Sequence, residues 1–212
     1  EIYRAIFLAQ LSEVIMNNMT ASSMKTRNLV RVGILGAIAF GLMFLDLPLA
    51  FVAPGFMKLD ISDVPALISG FAMGPVYGVL VQLIKNLLNV TKSTTGGVGE
   101  LSNFIVGSSF VLVSSLVYNK NRTLKNALIG ICLGVITMAA LAMASNYFVV
   151  FPLYARIMIP METILNMGKA VNPNINSLWE MMLYSVLPFN IIKGGINGLV
   201  AFMAYKRVKN HL

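Results

Sequence analysis

Charge is scarce in this sequence. Only 11% of its 212 residues are Asp, Glu, Lys or Arg, and the acids number just 8. Soluble domains carry about 25% charged residues. That deficit, with 57% hydrophobic residues and a mean hydropathy of +0.78, excludes a soluble domain of useful size and leaves a polytopic membrane protein. Cysteine is nearly absent. Cys132 stands alone inside an apolar run, so there is no disulfide framework and no thiol metal cluster, and its role is packing. The single histidine, His211, lies in the C-terminal tail, which removes histidine catalysis and histidine metal sites. No phosphate-binding glycine loop, zinc-binding helix or nucleophile elbow is present. Gly96-Gly97-Val98-Gly99 lacks the Lys-Ser/Thr ending and reads as a flexible turn. No reactive group with a partner can be assembled, so no catalytic residue, metal or enzyme activity is expected. Repeats and inverted halves of the secondary-transporter kind are also missing. The net charge of +8 does not imply nucleic acid, because the basic residues cluster between hydrophobic runs.

What is there is a series of apolar runs. Residues 1–24 alternate apolar and polar character and are too interrupted to span a bilayer. They read as an N-terminal extension, disordered or interfacial, with Met24-Lys25 as the natural beginning. No small-residue cleavage site follows a long apolar core, so a cleaved signal peptide is not expected. Residues 25–212 form the membrane domain. Six spans are expected, at about Leu29–Leu45, Leu59–Met73, Pro75–Val90, Gly99–Tyr118, Ala127–Val150 and Leu178–Tyr205. A full crossing takes about 20 residues, so the second and third spans should tilt little or cross where the protein is thin.

Orientation follows from the basic residues in the connections. Lys25, Arg27, Arg31, Lys120, Arg122, Lys125, Lys206, Arg207 and Lys209 fall on one side. Lys58, Lys92, Arg156 and Lys169 fall on the other. The excess places both termini in the cytoplasm. The fold expected is therefore an all-α, six-transmembrane-helix bundle. Its connections 46–58, 91–98 and 151–177 face outward.

The stretch Asp46–Pro65, DLPLAFVAPGFMKLDISDVP, breaks the lipid-compatible pattern. Pro48, Pro54 and Gly55 hold a loop open, and Lys58, Asp60 and Asp63 follow closely. Two readings fit: a rigid inter-helix turn whose acids cap the second helix at its positive end, or a lid over a site between helices. Asp60 and Asp63 are read as caps rather than cation ligands.

The informative residues are polar ones inside spans. Lys85 and Asn86 lie in the third span, Glu100 and Asn103 in the fourth, Asn146 in the fifth, and Asn190, Lys193 and Asn197 in the sixth. A charge at mid-bilayer costs about 2.5–3.5 kcal/mol, so these residues face the bundle interior or a watery cavity. Structural pairing of Lys85, Lys193 and Glu100 is one reading. Their stacking at helical spacing toward one end of the bundle favours a polar binding pocket. Amides with a lysine and a glutamate suit a polar, uncharged or weakly charged ligand. Phe51, Phe56, Phe104, Tyr147, Phe148 and Phe189 nearby suit a flat ring.

Four stretches together resemble one family. They are Lys58-Leu-Asp-Ile-Ser-Asp-Val-Pro65, Lys85-Asn86-Leu-Leu, Gly97-Val-Gly-Glu-Leu-Ser-Asn103 and Leu187-Pro-Phe-Asn-Ile-Ile-Lys193. Over about residues 25–210, in the same order, the chain is similar to the riboflavin-binding substrate (S) subunit of energy-coupling factor (ECF) vitamin transporters. Residues 1–24 have no counterpart in it, and the connection 151–177 is longer than expected.

The resemblance implies a six-helix vitamin-binding protein of the bacterial cell membrane with no ATPase of its own. Such a subunit docks on a transmembrane coupling protein (the T component) and two ABC ATPases. Riboflavin is then the transported ligand, with FMN an open second ligand, and there is no cofactor. Matching positions imply that Asn190 and Lys193 hydrogen-bond the ligand and that Asn146 meets the polar edge of its ring. The loop carrying Leu47, Phe51 and Met57 would cover it. Glu100, Asn103 and Asn197 are further candidates.

In the first span Gly33, Ala37 and Gly41 recur every fourth residue. Such a stripe admits another helix closely, either one of this bundle or a partner's. The resemblance favours docking on the coupling protein. An S subunit for a different vitamin, a stand-alone secondary carrier and a membrane enzyme stay open as alternatives. Ligand co-purification, dependence on ATPase subunits and conversion of a bound ligand would separate them.

Overall fold

The computed structural model describes residues 24–208. The extension expected over 1–24 therefore falls outside the described residues except for Met24, and so does His211. The described chain is mostly helical. Helix α1 spans 24–42. Its inward face is Val32, Gly36 and Ala39, all buried. A Cβ at Gly36 would collide with Ile84 of the third helix, so this glycine sets how closely the two helices approach. Gly33, Ala37 and Gly41 lie on the opposite, exposed face, and a Cβ at Gly33 or Gly41 would meet nothing within 4 Å.

Between α1 and the second helix, a two-stranded ladder modifies the all-α expectation. Strand β1 (Leu47–Pro48) pairs antiparallel with β2 (Lys58–Leu59), Leu47 opposite Leu59 and Pro48 opposite Lys58. Pro48 and Pro54 forbid a helix here, and the extended ends zip the loop into a small hairpin. Lys58 Nζ donates to Asp46 Oδ2 across its base at 2.9 Å.

The second span accordingly begins later than the hydropathy indicates. Helix α2 runs Asp63–Met73 and α3 runs Pro75–Val90. Gly74 alone separates them, at φ 113° and ψ 162°, a conformation open essentially only to glycine. Pro75 then supplies a first helical position that needs no N–H donor.

Helix α4 spans Val98–Lys120, α5 Leu124–Ile157 and α7 Leu178–Arg207. Among the described residues these three are long and apolar enough to cross a membrane by themselves. Gly130 and Gly134 of α5 pack directly on the backbone of α4 at Ser114 and Phe110, which brings the two axes close. The fifth helix runs past its expected end at Val150, and the connection after it holds a further helix, α6 (Met161–Val171).

Both α5 and α7 contain one wide, π-helical turn, at Asn146–Val150 and Met182–Val186. Each ends two residues before a proline, Pro152 and Pro188. A regular turn there would drive the proline ring against the carbonyl four residues back. Widening the turn relieves the clash and lets the helix continue.

The end of the bundle opposite the hairpin is closed by aromatic packing. Phe71, Tyr118 and Tyr205 are buried with centroids 4.9–5.6 Å apart, and the two tyrosine hydroxyls hydrogen-bond at 2.9 Å. Large apolar side chains such as Ile34, Leu87, Leu116, Ile136, Leu199 and Met203 point outward and are exposed. An apolar exterior of this kind is stable against hydrocarbon, and the protein is a membrane protein.

Candidate functional site

At the hairpin end, the helices splay around a cavity of about 530 Å³. Small-molecule sites typically occupy about 300–1,000 Å³. Phe44 in the turn after α1, Phe56 in the hairpin loop, Phe151 and Tyr154 of α5, and Phe189 of α7 supply aromatic walls. Phe56 meets Phe151 and Tyr154 edge-on, at 5.9 and 6.3 Å between centroids, which seats the hairpin loop on the end of α5. On another side of the mouth, Lys92 Nζ lies 3.7 Å from the centre of the Phe44 ring, a cation–π contact that joins α1 to the turn after α3.

Six of the sequence-predicted residues line this cavity: Met57, Glu100, Asn103, Asn146, Asn190 and Lys193. The others lie elsewhere. Leu47 and Phe51 are exposed on the hairpin, Phe51 at 77%. Asn197 is fully buried one helical turn beyond Lys193. It donates to the Asp60 carbonyl at 2.8 Å and accepts from the Asp63 N–H at 3.1 Å. Among the expected aromatic lining, Phe56 and Phe189 are at the wall, whereas Phe104, Tyr147 and Phe148 are not.

The two asparagines are held alike. Asn146 Nδ2 donates to Ala142 O at 2.7 Å, and Asn190 Nδ2 donates to Val186 O at 2.8 Å. One N–H of each amide is thus engaged by its own helix, which orients the group and leaves the Oδ1 to accept from a ligand and the second N–H to donate to it. Asn146 opens the wide turn of α5, and Asn190 follows that of α7 by one turn. The irregular turns that accommodate Pro152 and Pro188 therefore also set the angles at which these amides meet the cavity.

Lys193 has three donors. One goes to Asp60 Oδ2 at 2.9 Å and a second, weakly, to Asn103 Oδ1 at 3.4 Å. Asn103 in turn donates to Asn86 Oδ1 at 3.0 Å, and Asn86 to Gln82 O at 2.8 Å, so the relay has one consistent direction. Beneath it, fully buried Lys85 pairs with fully buried Asp63 and donates to Ser62 Oγ at 2.7 Å. Gln82 adds a bond to Asp63 at 2.8 Å.

Asp60 and Asp63 are therefore not the simple helix caps expected. The cap position is Ser62, whose side chain makes no capping bond, and the two carboxylates are drawn inward to neutralise lysines. A buried ammonium without a counter-charge is far more costly than an unfilled cap. Lys85 accordingly belongs to structural pairing and does not reach the cavity wall.

Glu100 is spent on shape. Its carboxylate accepts from Asn89 at 3.0 Å, Ser93 at 2.7 Å and Thr95 at 3.1 Å. Ser93 and Thr95 in turn accept backbone N–H bonds from Gly97 and Gly99, which folds the 93–99 turn around the glutamate. Gly96 and Gly97 supply the positive φ values, 60° and 87°, that this turn requires.

Sequence reasoning missed Phe44, Asn89, Thr95, Met138, Phe151 and Tyr154 at the wall. Pro152 and Pro188 inside apolar runs were the available signal for the wide turns. The aromatic residues of α5 beyond Val150 were hidden by the expectation that the span ended there.

The fold and cavity define a helical membrane protein with an amide-lined, aromatic-walled cavity. The family model for the ECF transporter substrate-specific component matches residues 27–205, and the chain belongs to that family. It is 36% identical over 188 residues to the riboflavin transporter RibU of Staphylococcus aureus, covering 89% of this chain and 93% of that protein. It is 32% identical over 189 residues to the riboflavin transporter FmnP of Bacillus subtilis, covering 88% and 94%. Its structure is similar, with a TM-score of 0.69 and 35% sequence identity, to the S component of a bacterial ECF transporter, covering 88% of this chain and 98% of that one.

Proposed function

We propose that this chain is the riboflavin-binding S component of an ECF transporter. It captures the vitamin at the hairpin end of the bundle and delivers it through a shared coupling protein driven by two ABC ATPases. The observation that carries the reading is the pattern of hydrogen-bonding atoms at the cavity wall. Asn146 and Asn190 each offer an acceptor oxygen and one remaining amide N–H, Lys193 offers a donor, and aromatic rings share the cavity wall with all three. The imide edge of an isoalloxazine ring carries an N–H between two carbonyls; an asparagine Oδ1 meets the N–H, and Lys193 with the remaining amide N–H of the other asparagine meets the carbonyls. The Glu100 turn, with Thr94, Thr95 and Asn89 beside it, suits the hydroxyls of a ribityl chain. The names borne by the S. aureus and B. subtilis relatives support the same ligand.

In this reading the protein crosses the bacterial cell membrane six times. Helices α1 to α5 and α7 are the spans, both termini are cytoplasmic, and α6 lies along the outer surface. The hairpin loop Leu47–Met57 covers the bound vitamin. The exposed stripe Gly33, Ala37 and Gly41 receives the coupling protein. A stripe with nothing of its own bundle against it leaves room for a second helix to pack at close range. The test is to purify the protein, look for flavin absorbance in the preparation, and titrate the ligand-free form with riboflavin. One-to-one binding with quenched flavin fluorescence supports the reading. Absence of binding removes it.

A further inference from the structure

The ion pair between Asp60 and Lys193 adds a charged link between the hairpin and α7, which also pack through Leu59, Ala53 and Phe189. Asp60 is the residue directly after strand β2, at the root of the hairpin that closes the cavity. Lys193 is at the cavity wall, in the middle of α7. Both are nearly fully buried, with side chains 8% and 6% exposed, and their charges meet at 2.9 Å.

Asp60 is itself pinned from other directions. Its Oδ1 accepts the Ser62 N–H at 2.8 Å, and its backbone carbonyl accepts from Asn197 Nδ2 at 2.8 Å. Asn197 stands one turn beyond Lys193 on the same helix and also donates to the Lys193 carbonyl at 3.0 Å. The carboxylate thus has a fixed position from which to hold a flexible four-carbon side chain. The other acids do not compete. Asp63 is taken by Lys85, and Glu100 by Asn89, Ser93 and Thr95.

We propose that Asp60 is a positioning residue for ligand binding: it anchors the Lys193 ammonium so that its remaining donor serves the cavity, and through that bond fixes the root of the covering hairpin to the ligand's own contact. The effect on the ligand rests on the riboflavin reading above. The anchoring of Lys193 does not.

The experiment compares wild type, Asp60→Asn, Lys193→Gln and the double variant. Asparagine preserves the shape and the bond from Ser62 but removes the charge. In the ligand-free proteins, amine acetylation followed by mass spectrometry reads anchoring directly. Lys193 should be protected in wild type and become reactive in Asp60→Asn, while Lys85, whose own partner Asp63 is untouched, stays protected and reports an intact fold. Riboflavin affinity should fall roughly 10- to 100-fold in Asp60→Asn, and the near-UV band of bound flavin should shift because the ammonium beside its carbonyl is no longer compensated. Lys193→Gln should lose a similar factor, and the double variant should be no worse than Lys193→Gln alone.

If Asp60→Asn fails to fold, the double variant should recover, because deleting both charges leaves none unpaired. Unchanged Lys193 labelling in a folded Asp60→Asn protein, additive losses, or a double variant that stays unfolded would overturn the proposal. Lack of riboflavin binding by wild type would overturn the ligand assignment, while the labelling result still decides the anchoring.

Discussion

Asn146 and Asn190 face one cavity from different helices in the same hydrogen-bonded state, each amide nitrogen returned to the carbonyl four residues earlier. Two amides of fixed orientation, each with an acceptor Oδ1 and one remaining N–H, line the same cavity. A flavin methylated at the ring imide nitrogen can neither donate to them nor fit against them. It should bind at least about 100-fold more weakly than riboflavin, because a site built around a hydrogen bond rejects the analogue that lacks it. Parallel titrations of the two flavins check this. Equal affinities would move the imide edge away from the asparagines.

Removing one acceptor at a time should have a graded effect. Asn190→Ala and Asn146→Ala each delete a buried partner, a loss of about 1–3 kcal/mol in binding, or roughly 5- to 150-fold. Expression and membrane insertion should be unaltered. Calorimetry on both variants measures it, and wild-type affinity in either one would take that asparagine out of the ligand's reach.

The Lys85–Asp63 pair should govern stability rather than affinity. Lys85→Met leaves the Asp63 carboxylate buried with only Gln82 to meet it, and breaking such a pair costs about 3–5 kcal/mol. The variant should melt well below wild type, and Lys85→Met combined with Asp63→Leu should regain much of the loss. Thermal unfolding in detergent reads this directly. By contrast, Asp46→Asn removes the charge from the exposed pair with Lys58 and should change stability by about 1 kcal/mol or less.

Much of this arrangement was legible in the sequence because membrane burial makes polar residues conspicuous. Asn190 and Lys193, three apart in an apolar run, had to face inward, and they do. The proline-held loop was recognisable as a loop, and Gly74-Pro75 as a helix boundary. What could not be read was which polar groups satisfy one another. Lys85 and Lys193 look equivalent in sequence, yet one is consumed by Asp63 and the other reaches the cavity. That outcome depends on the pairing of α2 with α3 and α7, which no local spacing encodes. Asn197 likewise has the same helical phase as Lys193 but lies one turn deeper, where Asp60 and Asp63 occupy it. Helix α5 continues past the expected end at Val150 although Pro152 follows two residues later. The wide turn before it allows the helix to continue and carry Tyr154 to the cavity.

Capture and transport should separate at α1. Gly33→Leu and Ala37→Leu place a bulky side chain on the exposed stripe, away from the cavity. Riboflavin binding should remain near wild type. Assembly with the coupling protein and ATP-driven uptake should be lost, because the helices are held apart along the groove. Pull-down of the coupling protein and flavin titration on the same preparations test both halves. Normal assembly in both variants would assign the stripe to lipid.

The central claim is that this cavity holds riboflavin, and calorimetric titration of the purified, ligand-free protein tests it most directly. Saturable one-to-one binding of riboflavin is expected, accompanied by loss of flavin fluorescence as the ring stacks among Phe44, Phe151, Tyr154 and Phe189. No heat and no quenching with riboflavin, while thiamin or biotin binds the same protein, would contradict it.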